Sequence, residues 1–384
     1  MSVQMINRAL LSRDEAVLVD LVATPSVSGS ERRASGVLCA HAREFGLSAE
    51  IDEAGSAIVH RGPADAAVHL VLLGHIDTVP GEIPVRIEAG ELHGRGSVDA
   101  KGPLAAMLCA AARADLPGRV RVTVVGAAGE ETPDSPGARL VVSRMRPDAC
   151  IIGEPSGWDG VTLGYKGRLL VDARIERPHF HSAGPDSTAC DDLAGWWSRV
   201  QERASAFNTG RARAFDQLQA TVQGWDSSCD GLTQRASMRC GFRLPPAMTP
   251  EGLRATLAAL APEGMTLEVS GAERAHQTDR NDAVVRALSS AIRGVGGQPR
   301  PKLKTGTADF NIAGPAWGCP IAAYGPGDSS LDHTPEERLP LAEYARSIEV
   351  LCGAIESLSR ELLGSCAEDA PAGVDEEEGA LSRA

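Results

Sequence analysis

The run Leu70–Gly81, LVLLGHIDTVPG, sets four consecutive apolar residues and a glycine directly before a histidine and, one residue on, an aspartate. A short continuous apolar run suits a strand covered on both faces, the pattern of a parallel sheet flanked by helices. A strand of that kind ending in His-x-Asp sends two side chains of metal-ligand type to one edge of the sheet. Taken alone, the pair could equally sit in a surface turn. What the rest of the chain brings to the same edge decides between the two.

Two further segments repeat the pattern. RVRVTVVGA (Arg119–Ala127) is followed by Gly129, Glu130 and Glu131, and ACIIGE (Ala149–Glu154) ends on Glu154. The Ala-rich stretch Gly102–Ala114 between the first two strands reads as a helix, with Pro103 tolerated in its first turn and Asp99 just before it. Near the end, PIAAYG reads as a strand, and His333 follows in DSSLDHTPEE. In open α/β sheets, functional groups gather at the carboxyl ends of strands. Two histidines and three carboxylates at one edge suit divalent cations such as zinc, which takes imidazole nitrogen and carboxylate oxygen. For five ligands to serve two ions, one carboxylate must bridge. Asp99 is the natural candidate, with His75 and Glu154 on one ion and Glu131 and His333 on the other. Glu130 is then left over as a general base, and Asp77 can support the His75 ring. Each piece also has an ordinary reading. The paired glutamates suit a helix N-terminus, and HTPEE suits a capped helix with Thr334 as N-cap and Glu337 in a capping box.

Elsewhere, Ser12 and Glu15 form a capping-box pattern for a helix over Arg13–Ala23, and a second helix is expected over Glu31–Phe45 with Ser30 as its cap. From about Gly164 the pattern becomes α+β: a strand at LGYKGRLLVDARIE, a helix at Ser187–Ala206, a strand at ASMRCGFRL, a helix near Pro250–Leu260 and a strand at MTLEVSG. After Ala275 the βα alternation resumes, with helices near Asn281–Arg293 and Pro340–Leu363. The expected fold is α/β: a catalytic domain with a mixed sheet flanked by helices (residues 1–163 and 276–364), an inserted α+β domain (164–275), and an acidic, solvated tail (365–384).

A net charge of −13 over 384 residues argues against nucleic acid as a partner. No apolar run approaches the roughly 18–20 residues of a membrane span. The N-terminal MSVQMINRALLSRDEA shows no signal-peptide pattern, and nine scattered cysteines without a C-x-x-C pair suit a reducing cytoplasm.

The blocks GHIDTVP, GRGSVDAKGPLAA, GAAGEE, GEPS and HTPEE together resemble the M20 family of metallohydrolases, which includes aminoacylases, acetylornithine deacetylases and succinyl-diaminopimelate desuccinylases. The resemblance implies two divalent ions, zinc or cobalt, held by His75, Asp99, Glu131, Glu154 and His333, with Glu130 as base and Asp77 in support. It implies a cis peptide after Asp99, an inserted dimerisation domain and a homodimer. PHFHSAGP resembles the family's H-S-x-x-P element, so His181 is expected to reach the partner's active site and stabilise the oxyanion. Two positions depart from the pattern: Arg177 and Pro103 stand where glycine is common.

More narrowly, GSVDAKGPLAA, GYKGRL and KTGTADFN look like the branch that frees lysine or ornithine from the C-terminal glutamate of a small acidic amino-group carrier protein. Lys304, Thr305, Gly306 and Arg243 are then expected at the substrate. A basic rim at Arg300, Lys302 and Lys304 would have to offset the negative net charge. Deacetylation of N-acetylornithine or N-acetyllysine, or desuccinylation of succinyl-diaminopimelate, is the alternative within the class. A catalytically inactive homologue that binds amino-acid derivatives is the alternative outside it. The presence of Glu130 beside all five ligands speaks for the enzyme.

Overall fold

The computed structural model describes residue 6 and residues 8–368, with Ser182 excepted. The main sheet has nine strands. Its centre is Val120–Ala127, Val68–His75, Ala149–Gly153 and Ile321–Ala323, side by side and parallel. The hairpin of Ser48–Ile51 and Ala57–Arg61 extends one side antiparallel. Gly160–Tyr165 extends the other and pairs with His276–Gln277 and Arg300–Lys304. The sheet is therefore mixed, as expected.

The apolar runs explain the layering. Along Val68–His75, Leu70 and Leu72 enter the core on one face, while Val71 and Leu73 enter the core on the other. The larger core lies under Arg13–Val22, Arg32–Glu44, Lys101–Arg113, Ala283–Gly294 and the long helix Leu341–Glu368; the smaller lies under Pro136–Arg144 and Phe310–Trp317. Burying each large aliphatic side chain is worth about 1.5–3 kcal/mol, so strands apolar on both faces can only stand at the centre. Lys101–Arg113 is buried on all sides as far as Ala111 because its alanines let it press close to the sheet. At Gly153 a Cβ would lie 2.9 Å from Met107 Sδ and 3.0 Å from the Gly74 Cα of the adjacent strand, so glycine suits this close approach.

A second sheet, fully antiparallel, runs in the order Gln219–Cys229, Thr233–Leu244, Gly167–Pro178, Thr266–Glu273. The helices Ala189–Asn208 and Pro250–Leu260 pack on one face around a core of their own, centred on Trp196, Leu193 and Phe242. Gln219–Cys229 is an edge strand, exposed along nearly its whole length, with Trp225 and Val222 outward.

Several local expectations change. The Ser12–Glu15 capping box forms as read. Ser30 does not cap the second helix: Glu31 occupies the cap with helical backbone and no side-chain cap, and its carboxylate takes the Gly29 N–H instead. Thr334 starts no helix. Residues 365–368 of the expected tail continue the last helix; the remainder, 369–384, lies outside the described residues. No helix among the described residues is long and apolar enough to cross a membrane. The cysteines with described side chains are free thiols.

Candidate active site

Parallel register brings the strand ends together. His75 pairs with Ala127, Gly74 with Gly153, and Ala323 with Ile152, so the loops that follow leave the sheet at one edge. His75 is the last residue of its strand and Glu154 follows Gly153 directly. Asp99 precedes the helix Lys101–Arg113 through a cis Asp99–Ala100 peptide. At Gly102, in the first turn, a Cβ would lie 2.2 Å from the Ser97 carbonyl oxygen, so only glycine lets the helix start this close to Asp99. His333 sits in the loop after Ile321–Ala323 with φ +61, a left-handed backbone region uncommon for residues other than glycine.

The side chains converge in two sets that share Asp99. His75 Nε2 lies 3.1 Å from Asp99 Oδ1 and 4.0 Å from Glu154 Oε1. His333 Nε2 lies 3.1 Å from Asp99 Oδ2 and 3.0 Å from Glu131 Oε1. Within each set the candidate ligand atoms are all within 4.8 Å of one another; Glu130 joins His75 and Glu131 at the same spacing.

The charges are unbalanced without a cation. Burial drives the Glu130 carboxyl well above the usual range, and pushes Glu154 up to about 7 and Asp332 up to about 8. Hydrogen bonds to Asp99 and Glu131 raise His333 to about 10. Burial opposes charge at His75 also, yet its contacts with Asp77 and Asp99 hold it well above its ordinary value. A set of carboxylates this dense, with imidazoles as its nearest compensation, fits hard or borderline divalent cations.

Asp77 does more than support a ring. His75 Nδ1 reaches the Asp77 carbonyl oxygen at 3.0 Å and its carboxylate at 3.5 Å. The carboxylate also accepts from the backbone N–H groups of Glu130 and Glu131, at 3.0 and 3.1 Å, and from the Ser28 hydroxyl at 2.7 Å. One buried side chain thus ties the first strand's loop to the second's.

Two residues were missed in the sequence. Glu337, fully buried, accepts from the backbone N–H groups of Val98 and Asp99 and from Arg95 Nη1 at 2.8 Å. Its place in HTPEE was visible, but a capping box was the local reading. Asp309, 2% exposed, has neither carboxylate oxygen hydrogen-bonded, and nothing in ADFN signals that.

A cleft of about 600 Å³ opens over the cluster. Of the expected substrate residues, Arg243, Lys304, Thr305 and Gly306 all line it. Arg243 Nη1 is buried there without a hydrogen-bond partner, and Lys304 Nζ stands 5.7 Å from the Tyr165 ring. The basic rim is thinner than expected. Arg300 pairs with Asp159, and Lys302 Nζ donates to the Ser156 carbonyl, which leaves Lys304 facing the cleft. His181 is exposed and lies outside the cleft of its own chain; Ser182, the second residue of that element, lies outside the described residues. Arg177, at the departing position, is held by Asp192 at 2.6 Å.

Residues 71–357 match the profile of peptidase family M20/M25/M40. The chain belongs to this family. As an M20 member it is a metal-dependent hydrolase of amide bonds. It is 48% identical to the [LysW]-lysine hydrolase of Deinococcus radiodurans, over 88% of this chain and 94% of that one. It is 28% identical to the [LysW]-lysine/[LysW]-ornithine hydrolase of Sulfurisphaera tokodaii, over 89% and 94% of the two chains. Among solved structures, the M20 family metallo-carboxypeptidase Sso-CP2 from Sulfolobus solfataricus superposes with a TM-score of 0.74 at 19% identity, covering 91% of this chain and 100% of that one. Human carnosine dipeptidase 1 gives 0.70 at 16% identity, over 91% and 96%. These two likenesses concern the fold.

Proposed function

We propose that this M20 hydrolase cleaves the amide joining lysine or ornithine to the carrier protein LysW, releasing the free basic amino acid in amino-acid biosynthesis. The names of the relatives support the substrate, and the convergence of two ligand sets on Asp99 is the observation that carries the chemistry. The reading includes two ions per subunit, zinc or cobalt. One is held by His75, Asp99 and Glu154, the other by Asp99, Glu131 and His333. Bound there, they supply Lewis acidity to the scissile carbonyl and the attacking water.

Glu130 takes a proton from that water as its oxygen bonds to the carbonyl carbon. It then delivers the proton to the leaving nitrogen as the C–N bond breaks, and the second water proton passes from the new carboxyl to the amine, leaving a carboxylate on the carrier and the amino acid's ammonium. Burial raises the Glu130 carboxyl well above its ordinary value, the direction that favours its holding and returning a proton. Asp77 holds the backbone of Glu130 in place. Arg243 and Lys304 bind the carboxylate of the departing amino acid, with Thr305 and Gly306 forming the adjoining wall. In the proposed homodimer, which assembles through the inserted domain at residues 164–275, His181 from a second copy stabilises the oxyanion. Residues 1–163 and 276–364 form the catalytic domain in this reading, and the enzyme works in the cytoplasm.

The test is direct. The zinc- or cobalt-loaded protein is given the LysW–lysine and LysW–ornithine conjugates, N-acetylornithine, N-acetyllysine and succinyl-diaminopimelate, and the released amine is quantified. Release from the conjugates at rates far above those from the small amides is expected. Faster release from an acetyl or succinyl substrate would replace the carrier reading with the simpler deacylase.

A further inference from the structure

We propose that Asp332 recognises the side-chain ammonium of the departing amino acid and so sets the preference for a basic one. The proposal rests on the amide-hydrolase reading above. Five carboxylates line the cleft: Asp99, Glu130, Glu131, Glu154 and Asp332. Three of them belong to the two ligand sets and Glu130 is the base. Asp332 belongs to none of the ligand groups, although His333 is its neighbour. Its backbone is fixed as the cap of the short 3-10 turn Ser329–Leu331.

Two orphaned polar atoms point to a ligand. Asp332 Oδ1 is shut off from solvent and makes no hydrogen bond. Tyr165, only 2% exposed, lines the same cleft, and its buried hydroxyl is likewise without a partner. Lys304, the nearby cation, forms no ion pair with Asp332 within 4 Å among the described residues, and its ammonium leans over the Tyr165 ring instead. An ammonium carries three donors and no acceptor, so it supplies the donors that the unpartnered oxygens of Asp332 and Tyr165 lack. The cleft is then complementary to a zwitterion with a distal cation: Arg243 and Lys304 toward its carboxylate, Asp332 and Tyr165 toward its ammonium. A site whose buried polar groups need a partner discriminates against an analogue that lacks one.

The experiment uses the metal-loaded full chain and two carrier conjugates, one of lysine and one of norleucine, which has the same chain without the ammonium. The wild-type ratio of kcat/KM, lysine over norleucine, is expected to exceed tenfold. In Asp332→Asn the ratio falls at least tenfold, whereas Asp332→Glu keeps most of it, and Tyr165→Phe lowers it by less. A purely structural role would depress both rates together and leave the ratio standing. That result, or a wild-type ratio near one, overturns the proposal. If the wild type cleaves neither conjugate, the hydrolase reading fails on its own. Calorimetric binding of free lysine and norleucine then still reads the subsite: lysine affinity lost in Asp332→Asn supports it, and equal affinity overturns it.

Discussion

Glu337 accepts a hydrogen bond at 3.1 Å from the backbone N–H of Asp99, across 238 positions of sequence. The same carboxylate takes the Val98 N–H and the Arg95 guanidinium, so the residue that both ligand sets share is held from behind by a buried anion. Partners that orient a ligand typically matter by 10–100-fold. Glu337→Gln leaves an amide that can still accept but no longer compensates Arg95. A fall in kcat of about tenfold or more, with weakened metal retention on dialysis, is expected. Full activity and metal content in the variant would mean the bonds at Asp99 are incidental.

Glu130 and Glu131 are neighbours with different surroundings. Glu131 stands against His333, whereas Glu130 faces His75 without a hydrogen bond to it. Glu130→Ala should lower turnover by at least about a hundredfold while bound metal, counted by elemental analysis, stays at the wild-type level. Loss of metal in that variant would exchange the two assignments.

Chelation followed by gel filtration should abolish amide hydrolysis, and zinc or cobalt should restore it. The titration is expected to reach full activity at two equivalents per subunit. Saturation at one equivalent would leave the second ligand set without an ion of its own.

Acid sensitivity should trace partly to a pair of histidines far from the cluster. His60 Nδ1 and His69 Nε2 both lie against the Thr123 hydroxyl, at 2.9 and 2.8 Å. Burial, then the nearby Arg121, lowers both below the ordinary value of 6.5, His60 to about 4. The unfolded chain therefore takes up protons first on acidification. Their contribution to stability is intact above pH 6.5 and is lost as the pH falls from there toward 4. In chelated protein, the double variant His60→Gln, His69→Gln should show a flatter decline of Tm between pH 7 and 5 than the wild type. An unchanged slope would assign the acid limb to other groups.

Trp225 and Val222 stand 45% and 38% exposed on the edge strand Gln219–Cys229. An exposed edge with apolar side chains is a ready pairing surface. Trp225→Glu with Val222→Lys should convert a dimer to a monomer by sedimentation. If His181 acts across the dimer, hydrolysis falls with dissociation while metal content holds. A fully active monomer would remove His181 from the mechanism.

Most of the candidate ligands were legible because they end or follow a strand whose apolar run is itself a burial signal; Asp99 precedes a helix instead. His75, Glu131 and Glu154 could be placed at one edge from those runs alone, and Ser12 with Glu15 announced a helix start that forms as read. The strand Gln219–Cys229 was not legible. Its side chains face solvent on both sides, so it carries no alternation to read. Arg300–Lys304 was hidden likewise by its charges and proline.

What the sequence determined by itself was the kind of site: a sheet edge supplied with imidazoles and carboxylates in numbers that call for cations. Only the tertiary structure decided how those groups are held. Asp77 reaching across to Glu130, Glu337 reaching back to Asp99, and Asp332 lining one cleft with Tyr165, each with an unpartnered oxygen, are relationships between distant segments. Periodicity and capping are written locally, because burial and helix ends repeat within a few residues. A side chain that satisfies a backbone N–H 238 positions away leaves no local trace, and only the closed fold brings the two together.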